Sequence, residues 1–344
     1  MRASWGIPAE LSNREGAEPA IAARRVGAAR VRPLLRKAVQ PTILRANADM
    51  KTIVIVNPKA GKRVFLNLYL PQVLRVLKRG GVSYKVLFTR YEGHAARIVA
   101  RLRRGLDFVT VFGGDGTVRE VVKGMGEEPI PIGIIPFGTV NVLALDLGIS
   151  FNPVQAAAAV VGGRKRRIDV GYLNGEPFLL MVSTGLDALA VHNVDLRTKR
   201  VIGRIAYLLS AILTVLSYRA RRVWIAIPES GVRDRGYLAI VANSRYYAGP
   251  YRIADQTRID DGLLDVVLFK RRSVAAMLRL LAGILFNRTR YLRDVAYYRC
   301  TAVELSSHHR QKMQMDGDKA PSTPARVWVK KRHLAVLVPR LTPR

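Results

Sequence analysis

The chain has 344 residues, enough for two domains that each bury a core. Its composition, 49% hydrophobic and 24% charged, is that of a folded polypeptide and excludes wholesale disorder. Against 25 Asp and Glu stand 57 Lys and Arg, a formal charge of +32 that points to an anionic partner: nucleic acid, a membrane surface or a phosphorylated small molecule.

Residues 1–49 are rich in Arg and Ala, carry Pro8, Pro19, Pro33 and Pro41, and show no sustained periodicity. They read as a disordered basic leader, with Met50 as an alternative start, or as a basic arm drawn to anionic lipid. From Met50 onward, strand-like runs at 52–56, 83–88, 108–112 and 130–135 alternate with helical segments at 64–79 and 93–104. A third helix is expected after Thr117, where Val118, Val121, Val122 and Met125 recur at helical spacing. This alternation predicts a mostly parallel sheet covered by helices on both faces.

After about residue 165 the rhythm changes. Runs at 167–173 and 178–182 flank Asn174-Gly175, a strong hairpin signal. Further strands are expected at 223–227, 237–243, 263–269, 297–305 and 327–329, interrupted by helices at 202–216 and 274–286. The expected organisation is a leader (1–49), an α/β domain (50–165, completed by 326–344) and a β-rich domain (166–325). The one cysteine, Cys300, excludes an intrachain disulfide and a cysteine-built zinc site. Between aromatic and β-branched neighbours it reads as a buried strand thiol. The best apolar stretch, 205–218, falls short of the roughly 20 residues a spanning helix needs. No apolar signal region opens the chain, so a cytoplasmic protein is expected.

The most informative segment is Phe112-Gly113-Gly114-Asp115-Gly116-Thr117-Val118-Arg119-Glu120, between a strand and a helix. Its glycines let backbone N–H groups approach a ligand, and a helix N-terminus behind them favours anions. Thr117 and Glu120 have capping-box spacing. Asp115 belongs beside phosphate only if a Mg2+ or a polarised hydroxyl lies between. The Walker pattern is absent, and Arg119 stands where a dinucleotide fingerprint needs Gly, which excludes both of those nucleotide sites. Two other turns follow strands: Asn57-Pro58-Lys59-Ala60-Gly61-Lys62 and Pro136-Phe137-Gly138-Thr139-Val140-Asn141. In a parallel sheet all three turns gather at the carboxyl edge, where ligands bind.

In this order, together with Ile168-Asp169-Val170-Gly171, the 183–188 stretch, the 258–266 segment and Met315-Asp316-Gly317-Asp318, these turns resemble the diacylglycerol kinase catalytic-domain family, its bacterial soluble lipid kinases in particular. The resemblance implies an N-terminal three-layer α/β domain and a C-terminal antiparallel β-sandwich-like domain. It implies that residues 57–62, Gly113, Gly114, Asp115, Gly116, Thr117, Val118, Arg119 and Glu120, with Thr89 and Thr139, surround ATP. Asp115 would act through a catalytic Mg2+ supported by Asp169. A second Mg2+ would be held by Asp261 and the carbonyls of Arg258 and Leu263, although Asp260-Asp261-Gly262 also fits a plain hairpin turn. Asp318 would be the general base with Asp316 as partner, one methylene shorter than the family's usual Glu. Val142 departs likewise from the Asp that many relatives carry.

The stretch from Ser273 to Phe286, followed by Arg288, Arg290 and Arg293, fits an interfacial helix and equally one packed on the β domain. The expected partners are a membrane lipid substrate and an anionic membrane surface, at the inner face of the membrane, with no specific nucleic acid. An NAD kinase-like enzyme and a catalytically lapsed anion-binding protein are the alternatives.

Overall fold

The structure is a computed structural model that describes residues 50–61, 63–185, 188, 221–247 and 249–340. The basic leader, Lys62 and the helix expected at 202–216 lie outside the described residues. The first half runs β1 (Met50–Val56), α1 (Arg63–Arg79), β2 (Val82–Phe88), α2 (His94–Leu102), β3 (Phe108–Gly113), α3 (Asp115–Met125), β4 (Ile132–Pro136), α4 (Val142–Asp146) and α5 (Pro153–Gly162). The strands order as β2-β1-β3-β4, all neighbours parallel. β3 and β4 are buried along their whole length, and their Val, Ile and Phe side chains meet helices on both faces, as a parallel sheet requires. α5, which the sequence reading passed over, starts where Asn152 accepts from the amides of Val154 and Gln155 (2.9 and 3.3 Å), with Pro153 at its first position.

The second half runs β5 (Arg164–Leu173), β6 (Glu176–Phe178), β7 (Met181–Thr184), β8 (Val223–Ile227), β9 (Val232–Gly236), β10 (Leu238–Ala242), β11 (Tyr246–Tyr247), β12 (Tyr251–Arg252), β13 (Leu264–Phe269), α6 (Val274–Leu285), β14 (Val295–Cys300), β15 (Ala302–Ser306), β16 (Met313–Met315), β17 (Asp318–Ala320) and β18 (Ala325–Val338). One antiparallel sheet is ordered β14-β13-β10-β7-β16-β17. It faces the strands β5, β6, β8, β15 and β18 across a core that includes Leu173, Phe178, Val182, Ile225, Val266 and Val327. β10 alternates: Ala239 and Val241 enter this core, while Leu238 and Ile240 pack outward beneath Ala276, Met277, Leu280 and Ile284 of α6.

β18 joins the two halves. Its first part pairs antiparallel with β15, its end pairs parallel with β4 (Val336 opposite Ile132), and β5 runs along it throughout. The register slips between Lys330 and Leu334, at a bulge where Arg332 has φ 49°.

Three expected strands need correction. The run at 178–182 is two short strands in different sheets, because the chain crosses over at Leu179 and Leu180. The run at 297–305 breaks at Thr301 for the same reason, and Glu229 accepts from the Thr301 amide (2.9 Å) at the crossing. The expected strand at 327–329 is the middle of a strand of 14 residues. Cys300 is buried at the end of β14, where burial pushes its thiol up to about 12.

Candidate active site

Three turns leave the carboxyl ends of β1, β3 and β4 and touch one another. Asn57 donates from Nδ2 to Thr117 Oγ1 (2.9 Å), while its Oδ1 accepts from the Lys59 amide (3.0 Å). The Asn57 amide donates to Phe112 O (3.0 Å), and the Phe137 amide to Gly113 O (2.9 Å), extending the parallel pairing into the turns. Gly114 and Gly138 lie backbone to backbone: a Cβ on Gly138 would come within 2.7 Å of Gly114 Cα and of Asn141 Oδ1. Only glycine permits that approach. Asn141 closes the third turn in the left-handed region (φ 54°), accepting from the Gly138 amide (2.8 Å) and donating to its carbonyl (2.9 Å). Thr139 is exposed on this turn, and the Thr89 amide donates to Val56 O (2.8 Å) at the same edge.

Helix α3 begins at Asp115, three residues before the expected start, with Gly114 as N-cap and no side chain capping it. Thr117 is buried within the helix against Asn57. Glu120 caps another helix: its carboxylate accepts from the Ala95 amide (3.1 Å) at the start of α2. The capping-box spacing is therefore not used as a capping box. The amides of Asp115 and Gly116 open the first turn of α3, where a helix leaves its N–H groups without intrahelical partners, and with the three turns they form an anion cradle.

Each carboxylate of the site has partners within the protein. Asp115 turns to the start of α4, where Oδ2 accepts from Val142 (2.8 Å) and Oδ1 from Leu143 (3.1 Å). Burial raises its pKa, and the two amides oppose the rise. Asp169 is buried and accepts from the amides of Gly262 and Arg332 (both 2.6 Å), tying the 258–263 turn to the bulge in β18. Asp261 accepts from the Leu263 amide (3.0 Å) through one oxygen and from Arg299 through the other. Each oxygen of Asp115 accepts one amide and keeps a second acceptor site, as does the Asp261 oxygen that meets the Leu263 amide. Among the described residues no group of three or more His, Cys, Asp or Glu is placed to hold a metal ion, so a Mg2+ here would rest on one carboxylate with carbonyl, water or phosphate oxygens.

The β-rich half contributes the turn between β16 and β17. Asp316, in the left-handed region (φ 51°), accepts from the amides of Leu179 (2.8 Å), Leu180 (2.9 Å) and Met181 (3.0 Å). Burial pushes its carboxyl up to about 6, against the pull of these amides and of Arg119. Gln314 steadies the turn by accepting from the Gly317 amide (2.8 Å) and donating to Ser183 Oγ (2.9 Å). The turn carries Asp318 over the start of α3: Arg119 donates to its Oδ2 (2.7 Å), and a Cβ on Gly116 would lie 3.6 Å from the same oxygen. The structure thus brings residues 57–61, 113–120, Thr139 and Asp318 together, with Thr89 at the same sheet edge. It sets Arg258, Asp261 and Leu263 in a separate turn beside Asp169. Gln314 was missed, because nothing local in the sequence marks a glutamine that braces a turn.

Residues 51–173 match the diacylglycerol kinase catalytic domain, and residues 180–338 the YegS C-terminal NAD kinase beta sandwich-like domain. A diacylglycerol kinase of Bacillus subtilis (strain 168) is 28% identical over 83% of this chain and 96% of its own length. One of Staphylococcus haemolyticus (strain JCSC1435) is 26% identical over 83% of this chain and 88% of its own. The crystal structure of a diacylglycerol kinase from Bacillus anthracis str. Sterne superimposes with a TM-score of 0.69 at 26% identity, covering 84% of this chain and 96% of that one. The fold is thus the expected one, an α/β domain with a mostly parallel sheet followed by an antiparallel β domain. The chain belongs to the diacylglycerol kinase catalytic-domain family, in the branch that carries the YegS-type β sandwich-like domain.

Proposed function

We propose that this chain, a lipid kinase by family, transfers the γ-phosphoryl group of ATP to a hydroxyl of a membrane lipid, diacylglycerol or a similar acceptor such as a sphingoid base. The observation that carries this reading is the reach of the 316–318 turn from the β-rich half to the first turn of α3, where Asp318 meets Arg119. A carboxylate held at the rim of an anion cradle suits an acceptor hydroxyl that must lose a proton.

In this reading the triphosphate rests on the first-turn amides of α3 and on the turns at 57–61 and 137–141. Mg2+ arriving with ATP would offset the charge of the phosphates, with Asp115 as the carboxylate of the same turn that could meet it. An incoming phosphate offers Arg119 a second anion. Its guanidinium then leaves Asp318, which accepts the proton as the hydroxyl oxygen bonds to phosphorus and the bond to ADP breaks. Asp316 holds the turn in place and touches neither substrate.

Lipid contact is supported by α6. Its inner face is buried, so the packed-helix reading holds for that side. The outer side and the following turn leave Phe286 74% and Tyr291 67% exposed among Arg288, Arg290 and Arg293. Apolar tips flanked by cations suit peripheral attachment to an anionic leaflet. No helix among the described residues is long and apolar enough to cross a membrane. The test is transfer of label from γ-labelled ATP to an extracted lipid mixture: label in the organic phase supports the reading, and label in no lipid overturns it.

A further inference from the structure

At the far end of α4 from the cradle, a cavity of about 540 Å³ is lined by Arg166, Arg245, Arg258, Lys331 and Arg332, with Asp260 and Asp261 as its carboxylates. We infer that this cavity binds a phosphate monoester group, at the place where the resemblance implied a second Mg2+. Five cations face two carboxylates, and both carboxylates are already engaged. Arg166 grips Asp260 Oδ2 through Nη2 (2.7 Å) and Nε (3.1 Å). Asp261 is held by Arg299 and by the Leu263 amide.

The cations are less committed. Arg245 lies 3.4 Å from Asp146, whose other oxygen accepts from Ser244 Oγ (2.6 Å). Arg332 makes one long contact, Nε to the Asp260 carbonyl (3.4 Å). Arg258 and Lys331 have no ion-pair partner among the described residues, and both are exposed. The Lys331 stem lies across the Gly262 turn, 2.7 Å from where a Cβ on that glycine would stand. Three cations without a strong partner around one opening complement a doubly charged phosphate and supply donors to several of its oxygens. A divalent cation would meet five positive groups, with one oxygen of Asp261 already held by Arg299. The two readings predict opposite ligands.

The phosphate could be free or carried on a lipid headgroup, and the experiment separates these sources. Full-length protein, with the cradle filled by a non-hydrolysable ATP analogue, is titrated calorimetrically with inorganic phosphate at matched ionic strength. In parallel it is mixed with phosphatidylcholine vesicles with and without phosphatidate. Each is repeated on the Arg258→Gln/Lys331→Met variant, which keeps both stems and removes both charges, and urea midpoints confirm that the variant is folded. The expected result is saturable binding in at least one arm, weakened about tenfold or more in the variant. Binding in the phosphate arm assigns the site to the free anion as well, and binding to phosphatidate vesicles alone assigns it to the headgroup. Equal affinity of wild type and variant in both arms, or no saturable binding in either, overturns the inference. So does a Mg2+ site that survives in this variant and is lost in Asp261→Asn.

Discussion

The turn that carries Asp318 depends on a carboxylate whose two environments pull in opposite directions, and this makes the stability of the protein pH-dependent in a particular way. Burial of Asp316 pushes its pKa from 3.8 to about 6, while three backbone amides and Arg119 act to lower it. Because the folded value lies above the unfolded one, the native state binds the proton more tightly. The contribution of Asp316 to stability is therefore complete below about pH 4 and is lost as the pH rises through about 6. A shift of this size corresponds to about 2–3 kcal/mol between those limits, with the upper figure reduced because the rim of the turn is wet. Asp316→Asn keeps an oxygen for two of the three amides and has nothing to titrate. Urea unfolding from pH 4 to pH 7.5 should show the wild type losing about 2–3 kcal/mol more stability than the variant. Parallel profiles would refute the reasoning. A wild type that gains stability relative to the variant as the pH rises would show that the amides and Arg119 outweigh burial.

Arg119→Met removes a pair that is 16% and 50% exposed on its two sides, so it should cost no more than about 1 kcal/mol in urea while lowering kcat by roughly a hundredfold. Gly138→Ala forces a Cβ to 2.7 Å from Gly114 Cα. It should destabilise the fold by about 1–3 kcal/mol and weaken ATP in equilibrium dialysis. Phe286→Ser with Tyr291→Ser should reduce co-sedimentation with anionic vesicles and leave turnover of a dispersed short-chain acceptor unchanged.

The parallel half was legible because its signals are local. β1, β3 and β4 are runs of β-branched and aromatic residues, and the turns after them are marked by Gly and Asn. The antiparallel half was harder where a strand changes sheet. Leu179 and Leu180 look like the middle of one strand, yet the amides of 179–181 are drawn to Asp316, 135 to 137 residues away in sequence. β9 escaped notice because Arg233, Asp234 and Arg235 fill an edge strand that needs little burial. Most of β18 was missed because Lys330, Lys331, Arg332 and His333 interrupt its apolar pattern at the bulge. The site divides in the same way. Its three turns could be read residue by residue, whereas the partners of Asp115, Asp261 and Asp316 are set by tertiary contacts that no spacing reveals. Glu120 is the plainest case: the right distance from Thr117 to cap α3, it caps α2 instead.

The most direct test is the initial rate of label transfer from γ-labelled ATP to diacylglycerol in phosphatidylglycerol vesicles, wild type beside Asp318→Asn. Asp318 is half exposed, so the substitution leaves the fold intact and removes only the proton acceptor. Phosphatidate formation by the wild type, reduced about a hundredfold or more in Asp318→Asn with little change in the KM for ATP, is the predicted result. Equal rates for the two proteins would contradict the role given to the 316–318 turn, and no transfer by either would contradict diacylglycerol as the acceptor.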